Sequence, residues 1–404
     1  MKQSILFAAL LLCASAASAQ VEEEVYRTDY AIDTARVRTL WVELDNLSFF
    51  KDNEYTSEFM RGYTLPGLWL QPKVVYYPLK NLKVELGLHA LIYSGANKYP
   101  SMAYRDIAYW KGNQYQKGAH LLPYFRAQVT LSKVNLVIGN LYGGATHRLI
   151  EPLYNPELTM TADPEMGFQF LFDSRSFHLD VWVNWESYIF QGDTHQEAFT
   201  VGLSSQIDWT PRDASFHVYS PVQGTIQHRG GEQDTIYTNS VQTLTNGAVG
   251  AGITWNAGRR VLRRLNVEAD VLGYYQQMGE LWRYNNGWAF YTALSADLRD
   301  VRVRAGYFRA DDFISLFGLP YFGAASTRHV GAVFDRPQTV FASVEYARTF
   351  AKHYAFGARA ELYQSFPGQM TDADGAVSMP EKATCFSVGV YFRVNPEFLV
   401  KKWK

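Results

Sequence analysis

Residues 177–189, FHLDVWVNWESYI, alternate: Phe177, Leu179, Val181, Val183 and Trp185 are apolar, while His178, Asp180, Asn184 and Glu186 between them are polar. Side chains of a β-strand point to opposite faces in turn, so a period of two describes a strand with one apolar and one wet side. About ten such residues cross a hydrocarbon layer when the strand is tilted. The same pattern recurs in residues 82–92, where Leu82, Val84, Leu86, Leu88 and Ile92 face away from Lys83, Glu85 and His89. It recurs again in residues 265–271, with Leu265, Val267, Ala269 and Val271 set against Asn266, Glu268 and Asp270.

This criterion predicts sixteen strands, eight of them near residues 36–49, 63–78, 82–93, 119–131, 134–142, 165–174, 176–189 and 196–209. The other eight are near 214–228, 244–255, 262–275, 287–299, 301–311, 339–348, 353–364 and 383–394. The connections alternate between tight turns, such as Ser132-Lys133, Arg299-Asp300 and Ala351-Lys352, and long segments near 50–62, 94–118, 143–164, 190–195, 229–243, 276–286, 312–338 and 365–382. Short periplasmic turns opposite longer outer loops mark an outer-membrane barrel, and an even strand count puts both termini in the periplasm. Tyr76-Tyr77, Tyr93, Tyr188, Trp209 and Tyr274-Tyr275 cluster at strand ends, as an interfacial aromatic girdle requires. A soluble sandwich or propeller would also alternate, but it would not sustain membrane-length strands with this parity of loops.

Composition agrees with an all-β transmembrane barrel of sixteen strands, with fourteen to eighteen as the range. Aromatic residues make up 15% of the chain, charged residues 19%, and the net charge is −1, which lacks the basic excess of a nucleic-acid binder. At the amino terminus Lys2, an apolar run from Ile5 to Leu12 and Ala17-Ser18-Ala19 form a secretory signal, residues 1–19, with cleavage before Gln20. Acylation at Cys13 is disfavoured because Leu12 precedes it, and removal of the signal leaves Cys385 without a disulfide partner. A short acidic periplasmic lead (20–35, with Glu22, Glu23 and Glu24), the barrel (36–394) and a basic tail (395–404) complete the predicted organisation.

The last strand places Phe386, Val388, Val390 and Phe392 on one face. It resembles the closing strand of Gram-negative outer-membrane proteins, which implies recognition by the barrel-assembly machinery and insertion among outer-membrane lipids. The chain departs from that pattern by continuing from Arg393 to Lys404, as a periplasmic tail or an inward-folded plug. Sixteen strands with a long third outer loop look like the general porin architecture. That resemblance implies that the loop narrows the lumen and that a homotrimer forms; His147, Arg148 and Glu151 are then the constriction candidates.

A barrel of this size has room for water. The inward positions include Arg126, Glu268, Asp270, Arg302, Arg304, Arg359 and Glu361, charges of both signs that would create a transverse field and tune ion selectivity. The leading expectation is passive diffusion of small polar solutes or ions, with no cofactor and no metal. The apolar 312–338 loop, with Phe313, Ile314, Leu316, Phe317, Leu319, Tyr321 and Phe322, supports a hydrophobic-substrate transporter as the alternative. A non-conducting structural or secretion-accessory barrel is a third reading. An outer-membrane hydrolase is a fourth: His120, His147, His178, His217, His228, His329 and His353 are available, but no nucleophile elbow, H-E-x-x-H or Cys/His metal spacing accompanies them. On this reading the chain is not an enzyme.

Overall fold

The computed structural model describes residues 21–93, 118–188, 196–231 and 241–404; the signal sequence and most of the second outer loop lie outside them. The first half of the barrel consists of β1 (Thr39–Glu54), β2 (Tyr63–Leu79), β3 (Leu82–Tyr93), β4 (Gly118–Leu131), β5 (Val134–Asn140), β6 (Met166–Asp173), β7 (Phe177–Ser187) and β8 (Ala198–Asp208). The second half consists of β9 (Phe216–Arg229), β10 (Gln242–Asn256), β11 (Leu262–Met278), β12 (Asn286–Leu298), β13 (Val301–Asp311), β15 (Gln338–Phe350), β16 (Tyr354–Phe366) and β19 (Ala383–Val394). Three short strands, β14 (Val333–Asp335), β17 (Gln369–Thr371) and β18 (Val377–Ser378), form a small sheet among the outer loops. All sixteen wall strands fall where the period-two pattern places them.

Each wall strand pairs antiparallel with the next, and β19 returns to β1 in a register running from Asn46↔Val394 to Glu54↔Phe386. Closure leaves no free edge within the hydrocarbon layer, where unpaired peptide groups would cost several kcal/mol each. The alternation decides which face meets lipid. In β19, Phe386, Val388, Val390 and Phe392 are 41–50% exposed on the outside, whereas Cys385, Ser387 and Tyr391 are 0–3% exposed on the lumen side. Tyr76, Tyr188, Trp209 and Tyr275 join the outer surface, but Tyr77, Tyr93 and Tyr274 point inward, as their adjacent parity demands. The protein is a closed transmembrane β-barrel with an apolar outer face.

The lumen is filled from several directions. Of the segment 20–35, read above as a periplasmic lead, the stretch from Val21 to Thr28 enters the barrel: a helical turn at Glu22–Tyr26 buries Val21, Val25 and Tyr26. Its valines have no apolar partner in the periplasm, and they pack beside Leu47, Ala347, Ala355 and Tyr391 inside the wall. The tail is neither loose nor a plug. Its residues form β20 (Glu397–Lys402), which pairs with the periplasmic half of β1 and is held by the Arg36–Glu397 ion pair at 2.5 Å.

The apolar seventh outer loop turns into the extracellular mouth. Phe313, Ile314, Tyr321, Phe322 and Phe334 are fully buried there against Phe59, Tyr291, Phe308, Phe341 and Tyr363. Each large side chain so withdrawn from water contributes roughly 1.5–3 kcal/mol. The loop that looked too apolar for an exterior segment is a core.

Candidate functional site

The charges expected to tune selectivity are mostly spent on holding loops. Arg359 on β16 meets Glu151 of the third outer loop at 2.6 Å, Glu361 at 2.9 Å, Glu345 at 3.5 Å and Glu22 of the amino-terminal turn at 3.4 Å. Arg304 on β13 reaches the same Glu151 at 2.7 Å. Lys51 on β1 joins Glu361 at 3.2 Å to the loop's Glu157 at 2.8 Å. Burial would raise the Glu151 pKa, but Arg304 and Arg359 hold it below the ordinary value. Arg126 is locked by Glu85 at 3.0 Å and by the carbonyls of Asn140 and Leu141 at 2.6 and 2.7 Å. The third loop is thus bolted across the lumen.

His147 of that loop lies between two carboxylates, with Nδ1 2.8 Å from Asp180 and Nε2 2.9 Å from Glu165, and its ring stacks 3.6 Å from Trp182. Gly202 opposes Trp182 because a β-carbon there would sit 2.0 Å from the indole. Burial alone would lower the His147 pKa; the Glu165 and Asp180 carboxylates outweigh it and push the imidazole up to about 10. A histidine pKa raised above its ordinary value of about 6.5 adds stability that is complete below that pH and is lost as the pH climbs through the folded value. The heat-modification midpoint of the wild type should therefore fall between about pH 7 and 10, and His147→Asn should lack that step. A flat wild-type profile over this window would remove the clamp role.

On the periplasmic side a cavity of about 540 Å³ remains, lined by Arg27, Arg148, His217, Glu268, Arg302 and Arg304 among others. Arg302 makes a two-point contact with Asp297 at 2.6 and 2.9 Å, and Glu268 accepts from the Tyr219 hydroxyl at 2.5 Å. Asp270 is buried beside them, one carboxylate oxygen without a hydrogen-bond partner. Leu149 to Glu151 roof the cavity.

A different arrangement occupies the lipid-facing outer rim. The alternation of β9 puts Phe216, Val218, Ser220, Val222, Ile226 and His228 on the outer surface, the last of them at the end of β9 where the fifth outer loop begins. His228 is cross-strand neighbour to Thr243 on β10 and to Phe199 on β8. Its Nε2 lies 2.9 Å from the Gly230 carbonyl, and its Nδ1 lies 2.9 Å from the Thr243 hydroxyl. A carbonyl can only accept, so Nε2 carries the proton in the neutral ring and Nδ1 accepts from Thr243. Aromatic rings continue the patch: Phe199 is tilted against His228 with centroids 4.9 Å apart, Trp185 stacks on Phe199 at 5.1 Å and Tyr188 stacks on Trp185 at 5.3 Å. A hydroxyl that donates to an oriented, unprotonated imidazole is the geometry of an activated nucleophile.

The sequence matches the family model described as lipid A 3'-O-deacylase-type over residues 32–403. The chain belongs to this lipid A 3'-O-deacylase-type family. The expectation that it is not an enzyme is thereby corrected, since the family is of an enzyme type. On a barrel, a hydroxyl and an imidazole can meet from neighbouring strands with no shared motif, so no local signature marks such a pair. Thr243 was missed because it was read as outer loop, one residue before the predicted strand, whereas β10 begins at Gln242. The parity of β9, which puts His228 on the lipid face, was legible and could have singled that histidine out.

No curated protein matches the sequence. Among solved structures, the outer membrane protein OprD from Pseudomonas aeruginosa is similar, with 9% identity, 92% of this chain and 98% of that chain covered, and a TM-score of 0.48. OccAB3 of Acinetobacter baumannii has 10% identity, coverage of 89% and 99%, and a TM-score of 0.47. The trimer form of the Vibrio cholerae outer membrane protein OmpT has 11% identity, coverage of 88% and 98%, and a TM-score of 0.42.

Proposed function

We propose that the protein hydrolyses an ester-linked acyl chain of a lipid A-type glycolipid, at the lipid-facing outer rim and not in the lumen. The observation that carries this reading is the Thr243 hydroxyl donating to His228 Nδ1 on a surface that faces the membrane. Thr243 Oγ attacks the ester carbonyl while His228 takes the hydroxyl proton, and the tetrahedral intermediate collapses by expelling the sugar alkoxide, which recovers that proton. Water, deprotonated by the same imidazole, then releases the fatty acid and restores Thr243. The Gly230 carbonyl holds the tautomer throughout. The stacked Phe199, Trp185 and Tyr188 offer an amphipathic platform at the depth where sugar meets acyl chain.

The test is the mass spectrum of lipid A from Gram-negative cells that produce the full-length chain. Loss of one ester-linked acyl group supports the reading; an unaltered lipid A, with the folded barrel present in the outer membrane, defeats it. A passive pore has the sixteen-stranded wall in its favour and the packing of two outer loops and the amino-terminal turn inside the lumen against it.

A further inference from the structure

Six arginines and six acids line the periplasmic cavity, and the ion pairs among them are unevenly shared. Asp297 serves both Arg264 at 2.8 Å and Arg302 at 2.6 Å, Glu151 serves both Arg304 and Arg359, and Arg27 is paired with Glu23 at 3.6 Å. Arg148 is left over. It caps the short helical turn Gly144–His147 with a left-handed backbone, φ 58°, and lines the cavity as an exposed side chain with no acidic partner within ion-pair distance among the described residues. A non-glycine residue held in that region costs on the order of 1 kcal/mol, so the surrounding turn, not Arg148 itself, fixes where this guanidinium sits. The positive charges of Arg148 and Arg302 act on Arg27 alongside the opposing charges of Glu23 and Glu22.

The space opens toward the short-turn end of the barrel. Arg212, in the turn between β8 and β9, and Arg264, at the start of β11, line it with side chains 44% and 43% exposed. Leu149, Ile150 and Glu151 of the third outer loop also line it. Its volume of about 540 Å³ falls within the range of small-molecule sites, roughly 300–1,000 Å³. Guanidinium forks match the oxygen spacing of phosphate and carboxylate, and they bind it more strongly inside a low-dielectric wall than in open water.

We infer that this basin binds a small oxyanionic solute from the periplasm, with Arg148, the arginine of the lining without an acidic ion-pair partner among the described residues, as the principal contact. The inference is independent of the rim chemistry, because no residue is shared between the two places. The test is calorimetric titration of the refolded mature protein in detergent with glycerol 3-phosphate and, separately, with succinate; glycerol is the neutral control.

One-to-one binding of either anion that weakens about tenfold or more in Arg148→Gln, is retained in part by Arg148→Lys and is unchanged in the turn variant Lys133→Gln is the expected result. The preferred anion then tells a phosphate ester from a carboxylate. Absence of binding by both anions in the wild type, or binding that ignores Arg148→Gln, overturns the inference. Each variant is scored only after its barrel shows the wild-type heat-modified gel shift, so that a misfolded sample cannot stand in for a lost site.

Discussion

Replacing His228 with asparagine is expected to slow ester cleavage by about 100- to 10,000-fold, the range that a positioned general base contributes. Without the imidazole, the Thr243 hydroxyl loses its acceptor at 2.9 Å and must attack as a neutral alcohol, while the departing sugar oxygen loses its proton donor. Thr243→Val should be at least as damaging, because it removes the attacking oxygen while preserving the β-branched shape that suits a strand. Thr243→Ser should retain much of the rate. Both positions lie on the outer surface of wall strands and carry no lumen contact, so the folded yield should change little.

The readout is fatty acid released from lipid A micelles by purified protein, with turnover and apparent affinity measured separately. A base and a nucleophile act in the transition state, so turnover should fall while affinity holds. Undiminished turnover in both His228→Asn and Thr243→Val would move the reaction away from the rim.

The second large effect is expected at Arg359. Substitution by methionine leaves Glu151, Glu345, Glu361 and Glu22 around a neutral side chain, and breaking a buried ion network from one side costs about 3–5 kcal/mol because the stranded charges stay buried. Relief comes most readily from the third outer loop, whose Glu151 has Arg304 as its other cation. The loop should detach. Stable current steps in a planar bilayer should therefore appear in Arg359→Met and be rare in the wild type, together with a lower unfolding midpoint in urea. Glu151→Gln, which removes one acid but leaves Arg359 three partners, should show a smaller loss. Unchanged stability and unchanged conductance in Arg359→Met would mean that apolar contacts alone hold the loop, such as those of Leu153 and Leu158 with the seventh-loop core.

The two experiments separate two regions that the sequence presents alike. Polar residues on period-two strands look equivalent on paper, yet many of the charges facing the lumen are consumed by ion pairs, while the His228–Thr243 pair faces lipid. Arg302, Arg304, Glu268 and Arg359 were recognisable as inward charges by parity alone. Their partners were not. Glu151 and Arg359 are 208 positions apart, and Val21 meets Glu345 across 324 positions. No local pattern encodes such pairings.

Sequence alone determined the wall. Alternation with a period of two is a property of each strand by itself, so the sixteen spans, their lipid-facing residues and the short-long parity of the loops were all legible before any contact was known. Tertiary structure alone decided what occupies the interior. Whether an aromatic loop such as 312–338 covers itself, faces a neighbour or enters the mouth depends on the shape of the cavity it meets, and that shape exists only once the barrel has closed. The same holds for the reactive-looking pair on the rim, whose two residues become neighbours through the register of β9 against β10, a relation set by the whole sheet and not by either segment.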